Sequence, residues 1–367
     1  MKLINLDDLI RPASECGCGF SHDKTLEAVL IGDLESGVKR LGNLGLSPPY
    51  AVFYDKVTYE IAGGRVAEIL DAEAFLVKEP TFCEAEEKSG KLGERGTVIA
   101  VGGGTVIDVA KYAAYKRGLS FVSIPTAPSH DGIVSPIASL FTQKRRKSVL
   151  TRSPKIALID PKILASAPRE LAASGYGDIL AKLVSIKDWQ LGRDELGEAY
   201  CTNAEELVMK AVDLVIKALT SERDPERRLS SLTEALIYSG AAMMIVGSSR
   251  PASGSEHLIS HYLDMNSEKR LKHGIQCALG AMAMAAYHQE RNPNWWTEEK
   301  YRLEALRKYS QAAGIPIRLS EAGIPSKIMV EAIVEAWKIR PNRYTILHKF
   351  KPSRVEALEI LKKAGLI

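Results

Sequence analysis

Apolar residues in the first half of the chain come in short unbroken runs: Ala28–Ile31, Ala51–Tyr54, Ala74–Val77, Thr97–Val101, Phe121–Ile124 and Ile156–Ile159. A strand covered on both faces needs such a run, whereas a half-exposed strand alternates. Between the runs the apolar spacing changes to three and four, as in Thr58–Leu70 and Val106–Lys116, which predicts helices. Strand and helix in alternation predict a doubly wound, Rossmann-like α/β domain. The pattern changes near Asp160-Pro161. From there on helical spacing prevails, clearest in Glu205–Thr220, Ser230–Val246 and Cys277–His288, with turn signals at Gly314-Ile-Pro316 and Gly323-Ile-Pro325. The expectation is an α/β domain over residues 1–162 and an all-helical domain over 163–367, with a cleft where they meet.

Composition narrows the class without choosing a function. The 367 residues are 46% hydrophobic and 26% charged, as in globular proteins, and the net charge of +4 makes no case for nucleic acid. The densest basic run, Lys144–Lys147, reads as a solvated hairpin tip. Met1–Arg11 lacks the basic and apolar regions of a signal peptide. The most apolar stretch, Ile237–Gly247, falls short of the ~20 residues of a membrane span. Five scattered cysteines fit a reducing cytoplasm better than a disulfide framework. Cys16-Gly-Cys18 with His22 resembles half of a metal knuckle, but no second cysteine pair accompanies it, which argues against a structural zinc site. For a cytoplasmic chain of this size a homo-oligomer is expected.

Candidate chemistry begins where Thr97–Val101 runs into Gly102-Gly103-Gly104-Thr105 and a helix opens at Val106-Ile107-Asp108. Glycines let the backbone approach a ligand, and the helix start offers free N–H groups to an anion such as a dinucleotide pyrophosphate. The spacing differs from the usual Gly-x-Gly-x-x-Gly fingerprint. Asp55, at the end of a strand, is placed either to accept from an adenosine ribose or to serve as a turn aspartate. Three of seven histidines, His257, His261 and His273, fall within seventeen residues, and the first two share a helix face. Asp178, expected to open a long helix, offers a hard carboxylate that would complete a mixed oxygen–nitrogen site for a divalent ion, with zinc favoured over nickel or iron. Such an ion polarises a carbonyl, and a nicotinamide supplies hydride. Pro125–Gly132 follows a strand, so Thr126, Ser129 and Asp131 are placed at the sheet's ligand-binding edge. Lys182, Lys272 and Arg250 are cations near the expected metal, suited to a substrate phosphate.

Taken together, Gly102–Asp108, Pro125–Gly132 with Ser135, Gly175–Lys182 with Asp188-Trp189, and Ser249-Arg-Pro-Ala-Ser-Gly-Ser-Glu-His257-Leu-Ile-Ser-His261 resemble the glycerol-1-phosphate dehydrogenases, closest to their bacterial branch. That family sits beside glycerol dehydrogenases, 3-dehydroquinate synthases and iron-containing alcohol dehydrogenases. The resemblance implies reduction of dihydroxyacetone phosphate by NADH or NADPH, with Asp178, His257 and His273 as metal ligands. It implies that Asp131, Asp178 and His261 touch the substrate, and Lys182 joins them as the nearby cation. Coenzyme contacts would fall on Gly102, Gly103, Gly104, Thr105, Val106, Ile107 and Asp108, on Thr126, Ala127, Pro128, Ser129 and Ser135, and on Asp55. The rivals are a polyol dehydrogenase for an unphosphorylated substrate and a lyase like 3-dehydroquinate synthase.

Overall fold

The computed structural model describes residues 2–4, 6, 10–93, 96–143 and 145–367. Among the described residues nine strands lie in the first 160 positions: β1 (Lys2–Ile4), β2 (Ala28–Ile31), β3 (Tyr50–Tyr54), β4 (Glu73–Leu76), β5 (Thr97–Gly102), β6 (Ser120–Pro125), β7 (Ile137–Phe141), β8 (Arg146–Leu150) and β9 (Ile156–Ile159). Seven of them form one sheet in the order β1-β2-β9-β6-β5-β3-β4, parallel except for the antiparallel edge strand β1. All six expected strands are in it, within a residue or so at each end.

Burial on both faces explains the unbroken runs. In β5, Val98 and Ala100 pack into the main core, while Ile99 and Val101 turn to a smaller cluster on the sheet's other face. The order also places a ligand crevice. From β3 the chain goes outward to β4, then returns to β5 on the other side of β3 and continues to β6. The carboxyl ends of β3 and β5 therefore flank a topological switch point, where doubly wound sheets bind ligands. Asp55 directly follows β3 and Gly102 ends β5.

β7 and β8 form a separate antiparallel hairpin. Its tip includes Lys144, outside the described residues, but Arg146 is in β8 and reaches inward. Its Nη1 lies 3.0 Å from Asp264 Oδ2 and its Nε 2.9 Å from Ser139 Oγ. The expectation of a wholly solvated basic tip is corrected at that residue.

The helices used below are α1 (Gly104–Arg117), α2 (Arg169–Leu180), α3 (Lys182–Leu196), α4 (Thr202–Thr220), α5 (Pro225–Val246), α6 (Ser255–Asn266) and α7 (His273–Arg291). Beyond residue 160 the described chain contains no strand. One core cluster runs from the sheet into these helices, joining Ala100 and Ile107 to Trp189, Leu236 and Met282. α5 is the one helix among the described residues long and apolar enough by composition to cross a membrane, and 78% of its apolar window is buried within the fold. Burial against neighbouring helices gives that composition a packing reason.

Candidate metal centre and active-site pocket

Asp178 sits near the C-terminal end of α2, not at the start of a helix as the glycines before it suggested. Gly175 and Gly177 are buried helical positions, and their lack of side chains permits close packing rather than a turn. A Cβ on Gly177 would lie 2.3 Å from the Gly274 carbonyl oxygen, and one on Gly274 would lie 1.7 Å from that of Ser174. The backbones of α2 and α7 meet there, and this brings Asp178 beside His273, the first residue of α7.

His257, from the first turn of α6, completes the cluster. Its Nε2 is 3.6 Å from Asp178 Oδ1, and its ring centroid is 5.1 Å from that of His273. Two ligands of a tetrahedral ion with bonds of ~2.1 Å stand about 3.4 Å apart, so the spacing suits a shared ion. The second nitrogen of His257 faces Glu256, with Nδ1 to Oε1 at 2.7 Å. An Nδ1–H donated to that carboxylate leaves the Nε2 lone pair for a metal and raises its basicity. Burial, then His257 and Arg146, hold His273 well below its usual pKa, in the neutral form a ligand needs. Cys277, one turn after His273, brings its thiol into the same group, with Sγ 3.5 Å from His273 Nε2. Sequence reading missed it, although its i+4 spacing from His273 was a usable signal.

Lys182 ties the carboxylates together. Its Nζ is 2.7 Å from Asp178 Oδ1, 2.9 Å from Asp131 Oδ2 and 3.1 Å from the Ala252 carbonyl oxygen, and the side chain is fully buried. Burial alone would raise the Asp178 pKa, but the Lys182 ammonium and the His257 hydrogen bond hold it well below the usual carboxylate range. The reverse balance holds for Lys182: burial opposes its charge, while Asp131 and Asp178 raise its pKa overall. All three donors are taken, so Lys182 is corrected from a phosphate ligand to a buried counter-ion. Arg250 is engaged elsewhere too. It bonds both Glu198 oxygens, at 2.7 and 3.0 Å, and the carbonyls of Asp188 and Tyr344. Lys272 is exposed to solvent.

Besides Lys182, arginines from segments to which no site was assigned line the pocket. A cleft is walled by Asp131, His257, His261 and His273, and also by Arg146 and Arg340. Arg340 Nη2 lies 2.7 Å from Ser148 Oγ and 3.3 Å from His261 Nε2. An arginine can only donate, so His261 Nε2 accepts and its proton is on Nδ1. That Nδ1 is buried without a partner among the described residues. Burial, then Arg340 and Arg146, push the His261 pKa well below its usual value, so the ring is neutral.

The glycine loop adjoins this pocket. α1 begins at Gly104 with Gly103 before it and no side-chain cap, and a Cβ on Gly103 would meet nothing within 4 Å. That leaves an uncapped helix start beside open space, the kind of place that offers free N–H groups to an anion. On Gly104 a Cβ would strike the His130 ring, whose centroid is 6.4 Å from that of His273. Thr126, Ala127, Pro128 and Ser129 continue from β6, with the Thr126 N–H on the Gly102 carbonyl at 3.1 Å. Ser135 and Asp108 line the pocket itself. Asp108 also accepts from the Ser139 N–H at 3.0 Å. Val106 and Ile107 point their side chains into the core, and the Ile107 N–H is already bonded to Gly103. Ile107 is therefore corrected: it has no free donor for a coenzyme. Asp55 caps the short helix Lys56–Thr58, with Oδ1 accepting from Val57 and Thr58 N–H at 2.9 and 2.8 Å.

A family model described as iron-containing alcohol dehydrogenase matches residues 31–168. Among solved structures, glycerol dehydrogenase from Schizosaccharomyces pombe superposes with a TM-score of 0.72 at 18% identity, covering 92% of this chain and 89% of that one. An iron-containing alcohol dehydrogenase from Corynebacterium glutamicum gives 0.70 at 20% identity, covering 94% and 96%. These likenesses establish the α/β-plus-helical fold of that group. The glycerol-1-phosphate dehydrogenase (NAD(P)+) of Pyrococcus furiosus is 37% identical over 355 residues, 95% of this chain and 99% of the relative. The enzyme of the same name from Sulfurisphaera tokodaii is also 37% identical, over 92% of this chain and 96% of its own. This chain belongs to the glycerol-1-phosphate dehydrogenase family.

Proposed function

We propose that this protein reduces dihydroxyacetone phosphate to sn-glycerol 1-phosphate with NADH or NADPH, using a divalent metal held by Asp178, His257 and His273. The observation that carries the reading is the pair of arginines, Arg146 and Arg340, in one pocket with the histidines. A phosphate dianion needs charged donors when it leaves water, whereas neutral glycerol has no use for two guanidinium groups. Lys182 cancels one of the two negative charges on Asp131 and Asp178, so the pocket does not repel an anion. Arg340 also fixes the tautomer of His261. A neutral ring with one nitrogen facing an arginine does not readily give up its Nδ1 proton, so His261 orients a substrate oxygen by donating to it.

When bound, the metal supplies Lewis acidity at the substrate carbonyl, favouring zinc by the donor set with nickel or iron as alternatives. The nicotinamide supplies the hydride, and the uncapped start of α1 with Gly103 holds its pyrophosphate. Thr126, Ala127, Pro128, Ser129 and Ser135 flank the same crevice and are assigned to the coenzyme. The enzyme works in the cytoplasm, where its thiols stay reduced, and it assembles as a homo-oligomer.

The test is turnover by purified, metal-loaded protein, followed by loss of NADH or NADPH absorbance. Dihydroxyacetone phosphate should be reduced, and an sn-glycerol-3-phosphate dehydrogenase should reject the product. Equal turnover of unphosphorylated dihydroxyacetone would favour a polyol dehydrogenase, and no turnover of either would overturn the reading.

A further inference from the structure

We propose that Cys16, Cys18, His22 and Cys201 form a second metal site, a structural zinc site that fastens the N-terminal segment to the helical half of the molecule. Sequence reading found only the Cys-Gly-Cys…His part and set it aside for want of further thiols. The fold supplies one. Cys201, at the start of α4, lies with its Sγ 3.7 Å from Cys16 Sγ and 3.3 Å from His22 Nε2, and Cys18 Sγ is 3.1 Å from the same nitrogen. The four donor atoms all lie within 4.8 Å of one another. Zinc with Zn–S near 2.3 Å and Zn–N near 2.05 Å in a tetrahedron sets sulfurs about 3.8 Å apart and sulfur and nitrogen about 3.5 Å apart. The observed spacings match those of ligands around one ion.

The surroundings are those of a ligand set. His22 Nδ1 is 2.7 Å from the Arg11 carbonyl oxygen, which accepts a hydrogen bond from Nδ1–H and leaves Nε2 as the free lone pair facing the thiols. The Ala204 N–H points at Cys201 Sγ at 3.4 Å, a donor that favours the thiolate. Gly17 and Gly19 both have positive φ, +63° and +79°, and between them the chain turns Cys16 and Cys18 to the same side. His22 has φ +53°, a conformation that costs a residue with a Cβ and persists where its surroundings over-determine it. His22 and Cys201 are buried at 5% and 0% exposure.

A disulfide between Cys16 and Cys201 is the competing use of these sulfurs. It needs them about 2.05 Å apart and leaves the convergence of Cys18 and His22 without a purpose. Three sulfurs and an imidazole select zinc, a softer donor set than that around Asp178. Arg11 joins the same seam, its N–H on Asn203 Oδ1 at 3.0 Å. The ion would close a loop of 179 residues from His22 to Cys201, constraining the unfolded chain strongly.

Metal analysis of the His257→Ala/His273→Ala protein tests this without recourse to activity. That protein should keep one zinc per chain after dialysis, and its zinc-edge X-ray absorption should show three sulfur neighbours and one nitrogen. Adding Cys18→Ser and His22→Ala should remove the zinc. If the double variant does not fold, Cys277→Ala protein serves instead. Modifying its thiols with a mercurial should release one zinc per chain to a chelating dye. A zinc-free double variant, a sulfur-free coordination shell, a Cys16–Cys201 disulfide in the intact mass, or no zinc release by the mercurial would each overturn the proposal.

Discussion

Arg340 donates to His261 across 79 positions of sequence, Nη2 to Nε2 at 3.3 Å. The contact joins a residue near the C-terminus to the helix that carries a metal-site histidine, and it places a guanidinium in the pocket that the histidines line. Replacing Arg340 by Leu removes a charge-assisted contact of ~1.5–3 kcal/mol to the substrate phosphate, a loss of roughly ten- to hundredfold in kcat/KM for dihydroxyacetone phosphate. The reduction of dihydroxyacetone should change far less, and NADH affinity should hold. Equal losses for both substrates would remove Arg340 from phosphate recognition.

Glu256 touches no substrate in this reading, yet it should control the metal. Glu256→Gln keeps a hydrogen bond to His257 Nδ1 but weakens the basicity of Nε2, and a roughly 10–100-fold loss of metal affinity is expected. His257→Ala and His273→Ala should lose the active-site metal outright. Competition with a graded chelator distinguishes the cases, since Glu256→Gln should recover activity in excess metal and the histidine variants should not.

The strands were legible because burial on both faces leaves no choice of residue type: Ala28–Ile31 and Ile156–Ile159 could be read to the residue. Strands β7 and β8 were not, because Ser139, Ser148 and Arg146 make them half polar; the basic run between them read as a hairpin tip, but a basic run ordinarily means solvent. Ser139 and the partner Asp264, 118 positions away, turn Arg146 inward. Arg340 was invisible for another reason, since it follows a short 3₁₀ turn, Ala336–Ile339, with no periodicity to read. The histidine pair and the glycine loop stood out because their patterns are local, His257-x-x-x-His261 and three consecutive glycines. Asp178 came in as a hard carboxylate and through the family resemblance. The meeting of Cys201 with Cys16 and His22 joins distant segments and was hidden.

Lys182 separates charge compensation from substrate binding. Lys182→Met leaves Asp131 and Asp178 facing each other in a buried site with no counter-ion, and breaking a buried pair of this kind costs ~3–5 kcal/mol. The variant should unfold at lower denaturant concentration and lose activity, with metal only partly restoring its stability. Lys272→Ala, at an exposed position, should leave both stability and KM near wild type. An Lys182→Met protein as stable as wild type would show that the carboxylates are not held together by charge.

The observed cap and the expected coenzyme contact of Asp55 can be divided by substitution. Serine preserves the helix cap that Oδ1 makes, so Asp55→Ser should change stability little, whereas Asp55→Ala should cost ~1 kcal/mol. Both remove the negative charge at the end of β3 and should raise the ratio of NADPH to NADH kcat/KM. An unchanged ratio in both variants would leave Asp55 as a cap alone.

The contact of Gly177 with Gly274 sets a tolerance. A single methyl group at either position would need more than an ångström of clearance that the backbones do not have. The approach of Asp178 to His273 is thus fixed by main chain against main chain and has no flexible side chain to absorb error. Side chains around the pocket can change, but the gap between α2 and α7 cannot widen without parting Asp178 from His273. Any redesign of the pocket inherits that joint as a fixed dimension.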